Sequence, residues 1–157
     1  MFVDEYNPSY RSQYERIIRW LKKFEDIDFN FQNKLDEYLD IAYAFFMNCY
    51  HQKDWIINDP AAGISSKDVE EYINSDETLK ICADICNGLK HLRLDRPRSE
   101  KKPKIGVDSF YDNDLTGEMY RRDFFYIETT NGTVDPIEIA NRCMVSWQLF
   151  MEACDLL

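Results

Sequence analysis

Apolar residues recur every three to four positions along four long stretches of the chain, and this spacing predicts four main helices. Asn7-Pro8 and Asp135-Pro136 each place a capping residue before a proline at the first helical position, so they mark two helix starts. The stretch "IAYAFFMNCY" is apolar nearly all round, which predicts a central position for the second helix. The predicted ranges are about 8–28, 31–58, 75–92 and 136–154, with a short helix over 66–74.

The pattern changes after Pro97. "KIGVDSFY" and "YRRDFFYIETT" are rich in β-branched and aromatic residues and flank a polar stretch, so they predict an antiparallel hairpin. The expected fold is therefore mainly α: an up-and-down helical bundle of four main helices plus a short helix, with a β-hairpin inserted before the last helix. Residues 1–157 form one domain, in which 96–134 are a basic loop and the hairpin.

The charge of the chain is uneven. The formal net charge is -10, and this works against general binding to nucleic acid or to an anionic membrane. Residues 90–104, however, carry seven Lys or Arg against Asp95 and Glu100, a net charge of +5 that leaves -15 on the rest. A partner made of phosphates would have to meet this basic segment and avoid the remaining surface.

The cysteines and the first residues indicate a reducing compartment. There are five Cys, an odd number, and they lie within apolar helical runs. "MFVDEYNPSYRS" has neither the basic region nor the apolar core of a signal peptide, and no apolar run approaches membrane-spanning length. The expectation is a cytoplasmic protein that does not enter a membrane.

The end of the third main helix is the preferred candidate for a binding surface. At 100° per residue, Asp84, Asn87 and His91 fall within about 60° of one another, opposite the apolar stripe, and Lys90 borders them. An acceptor, an amide, an imidazole and a cation together suit a phosphate or a base edge. The alternative is a solvated helix face on which Lys90 and His91 stabilise the helix C-terminus. The candidate binding residues are Asp84, Asn87, Lys90, His91, Arg93, Arg96 and Arg98.

A second polar group lies near the end of the second helix. His51, Asp54 and Asn58 are spaced i, i+3 and i+7, so Asp54 can orient and charge the imidazole of His51. A local pair that stabilises the helix end is the simpler interpretation. His91, His51 and Asp54 are the candidate catalytic residues, and the sequence does not decide whether the two histidines meet.

No metal or cofactor is expected. Cys82 and Cys86 are one helical turn apart, but a zinc site would need Cys49 or Cys143 to converge on them, and all four lie on apolar stripes. The sequence contains no glycine-rich phosphate loop, no nucleophile elbow and no paired-carboxylate signature.

The helix order resembles that of the HEPN-like helical proteins of bacteria. The similarity rests on a long helix ending "CYHQKDW", a further helix ending "DICNGLKH", a short β-insert and a closing helix with Trp147, and it covers about 36–152. The resemblance implies a dimeric, metal-independent ribonuclease of a toxin or defence type, with an Arg five to seven residues before a His. Neither His51 nor His91 has an Arg at that spacing, so the resemblance favours the fold more than the nuclease.

Three functions remain open at this stage. The first is a binding module that recognises RNA, a nucleotide or a protein partner through the Asn87/Lys90/His91 face and the adjacent basic loop. The second is a ribonuclease whose cation comes from Arg93, Arg96 or a second subunit. The third is an acidic immunity or antitoxin-like protein that neutralises a basic partner. A homodimer is also expected, since the aromatic supply exceeds what a small bundle easily buries.

Overall fold

A computed structural model describes residues 7–29, 34–91, 97–99 and 103–157. Its helices and strands confirm a mainly α protein with a small antiparallel sheet. Residues 30–33, where the sequence places the start of the second helix, and Leu92 at the predicted end of the third lie outside the described residues. The elements are α1 (Tyr10–Phe29), α2 (Leu35–Asn58), α3 (Ser66–Ser75), α4 (Glu77–His91), β1 (Ile105–Asn113), β2 (Met119–Thr129), β3 (Gly132–Val134) and α5 (Pro136–Ala153).

Side-chain caps define several helix starts. Asp135 accepts a hydrogen bond from the backbone N–H of Ile137, and Pro136 occupies the first turn of α5 as predicted. Ser65 caps α3 through the N–H of Asp68. Asp76 caps α4 through the N–H of Leu79, one residue after the start suggested by Ser75. Short polar residues therefore fix where these helices begin.

The hydrophobic core lies between α1, α2, α4 and α5. Its largest fully buried side chain is Trp147 of α5, whose Nε1–H donates to the carbonyl oxygen of Cys49 at 3.0 Å. Phe24 of α1 meets the rings of Tyr38, Phe45 and Phe46 on α2 at centroid distances of 5.4 to 6.2 Å. The predicted central position of the apolar part of α2 agrees with the burial of these rings.

Helix α4 is more deeply buried than its sequence indicates. All six residues from Ile81 to Cys86 are buried, including Asp84, which is 0% exposed. The prediction that Asp84 lies on an outward polar face is therefore wrong. The reason is that residues 97–99 return to α4 and cover the side on which Asp84 lies.

The three strands form an antiparallel sheet in the order β1-β2-β3. The third strand was not predicted, because its three residues, Gly132–Val134, are too few to show a pattern. We call residues 105–129, which comprise β1, β2 and their turn, the hairpin arm. At about 3.3 Å per residue, the nine residues of β1 make the arm roughly 30 Å long.

The base of the hairpin arm is anchored in the core. Ile105 and Ile127 are cross-strand partners, and both are buried. The ring of Phe125 stacks on Tyr38 with a centroid distance of 3.6 Å and an interplanar angle of 7°. Every residue from 107 to 119 is exposed, so the arm leaves the helices within two residues of its base.

Among the helices that the structure describes, none combines the length and the apolar character that crossing a lipid bilayer requires.

Candidate functional site

The described part of the basic segment is held against the helices by Arg98. Its guanidinium donates to Glu70 Oε2 at 2.8 Å, to Asn74 Oδ1 at 3.0 Å and to the Tyr50 hydroxyl at 3.2 Å. Lys53 Nζ lies 2.8 Å from the other oxygen of Glu70. Arg98 is therefore paired with a carboxylate that Lys53 shares, and its guanidinium faces the helices.

Asp84 anchors the same segment from the side of α4. Its buried carboxylate accepts from the backbone N–H of Arg98 at 2.7 Å, from the N–H of Ser99 at 2.6 Å and from the Ser99 hydroxyl at 2.5 Å. Charged acceptors make the stronger class of hydrogen bond. The structural task of Asp84 is to close the connection between α4 and β1.

The remaining residues of the predicted surface divide into two groups. Asn87 is half-buried on α4. The side chains of Lys90 and His91, and the whole of Arg93 and Arg96, lie outside the described residues. Whether these groups converge, and whether His91 approaches His51, thus stays a prediction.

The ion pair at Glu70 gives a pH dependence with a definite sign. Burial raises the pKa of Glu70, but hydrogen bonds from Lys53 and Arg98 outweigh it and hold the pKa below the ordinary value of 4.5. A lowered folded-state pKa stabilises the protein above pH 4.5, and this contribution is lost as the pH falls through the folded-state pKa. Glu70→Gln should therefore lower the free energy of unfolding at neutral pH, and the difference from wild type should shrink on acidification.

Urea unfolding between pH 3 and 7, followed by circular dichroism, measures this difference. Glu71→Gln is the matched control, because Glu71 makes an exposed i, i+4 pair with Lys67 at 3.7 Å, and such pairs contribute little to stability. Parallel pH profiles for the two variants would contradict the assignment of the Glu70 ion pair.

His51 and Asp54 are both exposed on α2. The carboxylate of Asp54 lies 3.8 Å from Lys53 Nζ, and the ring of His51 lies 6.5 Å from that of Tyr50. Asp54 also lines an open depression of about 310 Å³, together with Pro8 and Trp55. Asn87 is not among the residues that line this depression.

The hairpin arm carries an aromatic surface that the sequence analysis did not single out. Side chains alternate along a strand, and Phe125 and Ile127 point towards the helices. The even-numbered residues therefore form the opposite, outer face. On it, the ring centroids of Phe110 and Phe124 are 6.2 Å apart, and those of Phe124 and Tyr126 are 6.4 Å apart. We call Phe110, Phe124 and Tyr126 the aromatic row.

The aromatic row is accessible. Phe110 is 45% exposed and Phe124 is 48% exposed. Tyr126 lies across Gly106 of the neighbouring strand, where a β-carbon would collide with its ring. Contiguous exposed aromatic side chains are uncommon on surfaces that contact only water, and they mark interaction sites.

Polar groups stiffen the outer part of the arm. On the inner face, Asp123 accepts from Ser109 and from Arg121, and the hydrogen bond from Ser109 is the main cause of the lowered pKa of Asp123. At the turn, Asp114 Oδ1 accepts from the N–H and the hydroxyl of Thr116 and from the N–H of Glu118. These bonds give the arm a defined shape, although a lone two-stranded hairpin is only marginally stable.

The turn presents one apolar side chain to solvent. Leu115 is completely exposed at the tip. Gly117 adopts φ +84, which is the left-handed conformation that the turn requires. The hydrogen bond from the Thr116 hydroxyl is also the main cause of the lowered pKa of Asp114. An apolar group held in a fixed turn is a suitable anchor for a partner.

The hairpin arm is acidic. Residues 105–129 contain six Asp or Glu and two Arg, a net charge of -4. Asp108 and Asp112 belong to the same outer face as the aromatic row. The arm therefore combines apolar rings with carboxylates, whereas the preceding basic segment is positively charged.

One sequence signal points to the aromatic row. In "RRDFFYIETT" three aromatic residues are consecutive, so alternation must place aromatic side chains on both faces of the strand. A hairpin that packs against helices covers only one face. The other face must then expose its rings, so this exposure can be inferred from the sequence alone.

No protein-family model matches the sequence, and neither a curated protein nor a solved structure shows a match.

Proposed function

We propose that this protein is a binding module that recognises a protein partner through the hairpin arm. The observation that carries the proposal is the exposed aromatic row, displayed on an arm that leaves the helices and is held in shape by its own hydrogen bonds. Aromatic residues are the commonest energetic anchors of protein interfaces. Leu115 at the tip adds a further apolar contact.

The chemistry of the partner follows from the charge of the arm. The net charge of -4 on the arm, with Asp108 and Asp112 on the face of the aromatic row, favours a surface with an apolar groove bordered by Lys and Arg. A partner of this kind makes the third function raised by the sequence more specific, namely an acidic protein that neutralises a basic partner. The acidic remainder of the chain would speed the encounter with such a partner at low salt.

Nucleic acid is a less favourable ligand for this surface. Aromatic side chains on a sheet can stack on RNA bases. Asp108 and Asp112, however, would lie close to the phosphates of any strand stacked on the aromatic row. Arg98, the described arginine of the basic segment, is already paired with Glu70. The RNA-binding and ribonuclease interpretations of the α4 end remain predictions, as does the up-and-down arrangement of the helices.

The test uses the full chain as bait, and one captured partner is then purified so that its binding to this protein can be measured in vitro. A tagged protein is incubated with extract of the native host, and the captured protein is identified, purified and titrated against the bait. We expect a basic partner whose affinity falls at least about tenfold, or 1.4 kcal/mol, in the Phe110→Ser/Phe124→Ser variant. Raising the salt concentration should weaken binding further.

A matched control is available on α5. Val145 and Leu149 are about as exposed as the two phenylalanines, so Val145→Ser/Leu149→Ser removes similar apolar area elsewhere. The proposal is wrong if both double variants bind the partner equally well, or if the partner is acidic. Light scattering of the purified chain identifies the case in which the partner is a second copy of this protein.

The RNA interpretation is tested on the same preparations. Fluorescent RNA is incubated with the protein in EDTA, and both binding and cleavage are measured. Binding that is lost in Arg93→Ala/Arg96→Ala but kept in the hairpin variant would move the site to the basic segment. Cleavage abolished by His91→Ala would establish the ribonuclease instead.

A further inference from the structure

Three cysteines from three different helices converge in the core. Cys49 of α2, Cys82 of α4 and Cys143 of α5 place their Sγ atoms within 4.8 Å of one another. All three are buried, at no more than 1% exposed. Cys86 and Cys154, the other two cysteines, are not part of this group.

Packing alone does not require this convergence. A lone buried thiol behaves as a small apolar side chain with a weak donor. Two of the three follow that behaviour, since Cys82 donates to the carbonyl oxygen of Phe46 at 3.4 Å and Cys143 to that of Thr78 at 3.8 Å. Cys49 completes a triangle of sulfur atoms in which each vertex belongs to a separate helix.

We propose that Cys49, Cys82 and Cys143 form a three-sulfur binding site for a single soft metal cation, Cu(I). Thiolate sulfur is the ligand type that Cu(I), zinc and iron–sulfur clusters prefer. The group contains no carboxylate or imidazole, so it offers nothing that a hard cation prefers. The site is independent of the hairpin arm and of the proposed partner.

The coordination number favours Cu(I) over Zn(II). Structural zinc is almost always four-coordinate, and this group supplies three ligands. With metal–sulfur bonds of about 2.3 Å, a planar three-coordinate ion separates its sulfur atoms by about 4.0 Å. Sulfur atoms already within 4.8 Å need to close by less than about 1 Å, a small movement for side chains of this kind.

Binding involves ligand exchange and no electron transfer. Cu(I) leaves a weaker carrier ligand and forms bonds to the three sulfur atoms, and each thiol that binds as thiolate passes its proton to solvent. Because the sulfur atoms are buried, entry into the folded apoprotein requires transient opening of the helices. Uptake should therefore be slow in the folded protein and fast when the protein refolds with Cu(I) present.

The experiment is an anaerobic Cu(I) titration of the full chain against a chromogenic Cu(I) chelator. We expect one equivalent to bind with an affinity that Cys82→Ser and Cys143→Ser each lower at least about tenfold. Serine is close to cysteine in size and can still donate to the carbonyl oxygens of Phe46 and Thr78, so both variants should fold. Circular dichroism checks that they do.

Cys154→Ser is the matched control, because the same substitution at a cysteine outside the cluster should leave the titration unchanged. X-ray absorption of the loaded protein should show three sulfur neighbours around copper, and Zn(II) should not compete. Equal affinity in Cys143→Ser and wild type, or no uptake even after refolding with Cu(I), would overturn the proposal. Copper bound by two sulfur atoms in wild type would do the same.

Discussion

Trp147→Ala should lower the free energy of unfolding by about 3–5 kcal/mol, the largest effect expected of a single side-chain truncation in this protein. Trp147 is 1% exposed, packs near Tyr72 and Phe150, and donates from Nε1 to the carbonyl oxygen of Cys49. The substitution leaves a cavity and removes the hydrogen bond between α5 and the Cys49 carbonyl. Since domains are typically stable by only 5–15 kcal/mol, the variant should be close to its unfolding threshold.

Urea unfolding followed by circular dichroism measures the loss without depending on tryptophan fluorescence. Trp147→Phe keeps a six-membered aromatic ring but loses the hydrogen bond and part of the buried volume, so it should cost less than Trp147→Ala. Trp20→Ala removes the same side chain from a partly buried position beside Lys23 and serves as the control. A cost for Trp147→Ala no greater than that for Trp20→Ala would contradict the central position of Trp147.

Asp84→Ala should destabilise the protein by about 2–4 kcal/mol, which is the second large effect. The carboxylate of Asp84 is fully buried and is the acceptor for two backbone N–H groups and one hydroxyl of residues 98 and 99. Alanine leaves those donors without their charged acceptor. The substitution should also loosen the connection between α4 and the hairpin arm.

Amide hydrogen exchange tests the local part of this prediction, and urea unfolding tests the global part. Protection of the Arg98 and Ser99 amides should fall in Asp84→Ala to a greater extent than protection in α5. Asp40→Ala, on the exposed side of α2, should change stability by no more than about 0.5 kcal/mol. Unchanged protection at Arg98 and Ser99 would show that the buried carboxylate does not hold the segment.

The sequence predicts those features of this fold that depend on neighbouring residues. Helical spacing locates the helices, and Asp135-Pro136 marks the start of α5 correctly, whereas α1 starts at Tyr10, two residues after the start predicted from Asn7-Pro8. The hairpin follows from β-branched and aromatic residues on either side of a polar turn. These signals are local because hydrogen bonds within a helix and across a hairpin join residues close in the chain.

The burial of Asp84 could not be predicted in the same way. Periodicity places Asp84 opposite the apolar stripe of α4, and this result assumes that nothing else packs on that side. Residues 98 and 99 return fourteen and fifteen positions later and cover it. The pairing of Arg98 with Glu70, twenty-eight positions apart, is equally invisible to a pattern of local spacing.

The convergence of the three cysteines could not be predicted from the sequence either. Each of Cys49, Cys82 and Cys143 lies on an apolar stripe, so the sequence predicts burial correctly. Whether the three sulfur atoms meet depends on how far each helix is rotated about its axis and shifted along it relative to the other two helices. Those quantities come from packing of the whole core, and only the structure contains them.

The ladder of paired residues in the hairpin arm limits how the arm can change in length. Removing one residue from each strand would exchange the two faces beyond that point, so Phe110 would turn towards the side now occupied by Ser109 and Arg121. Removing two from each strand would restore the original faces and shift the tip by about 7 Å. The reach of this surface can therefore be adjusted in steps, by insertion or deletion of residue pairs, while the buried anchor at Ile105 and Ile127 stays the same.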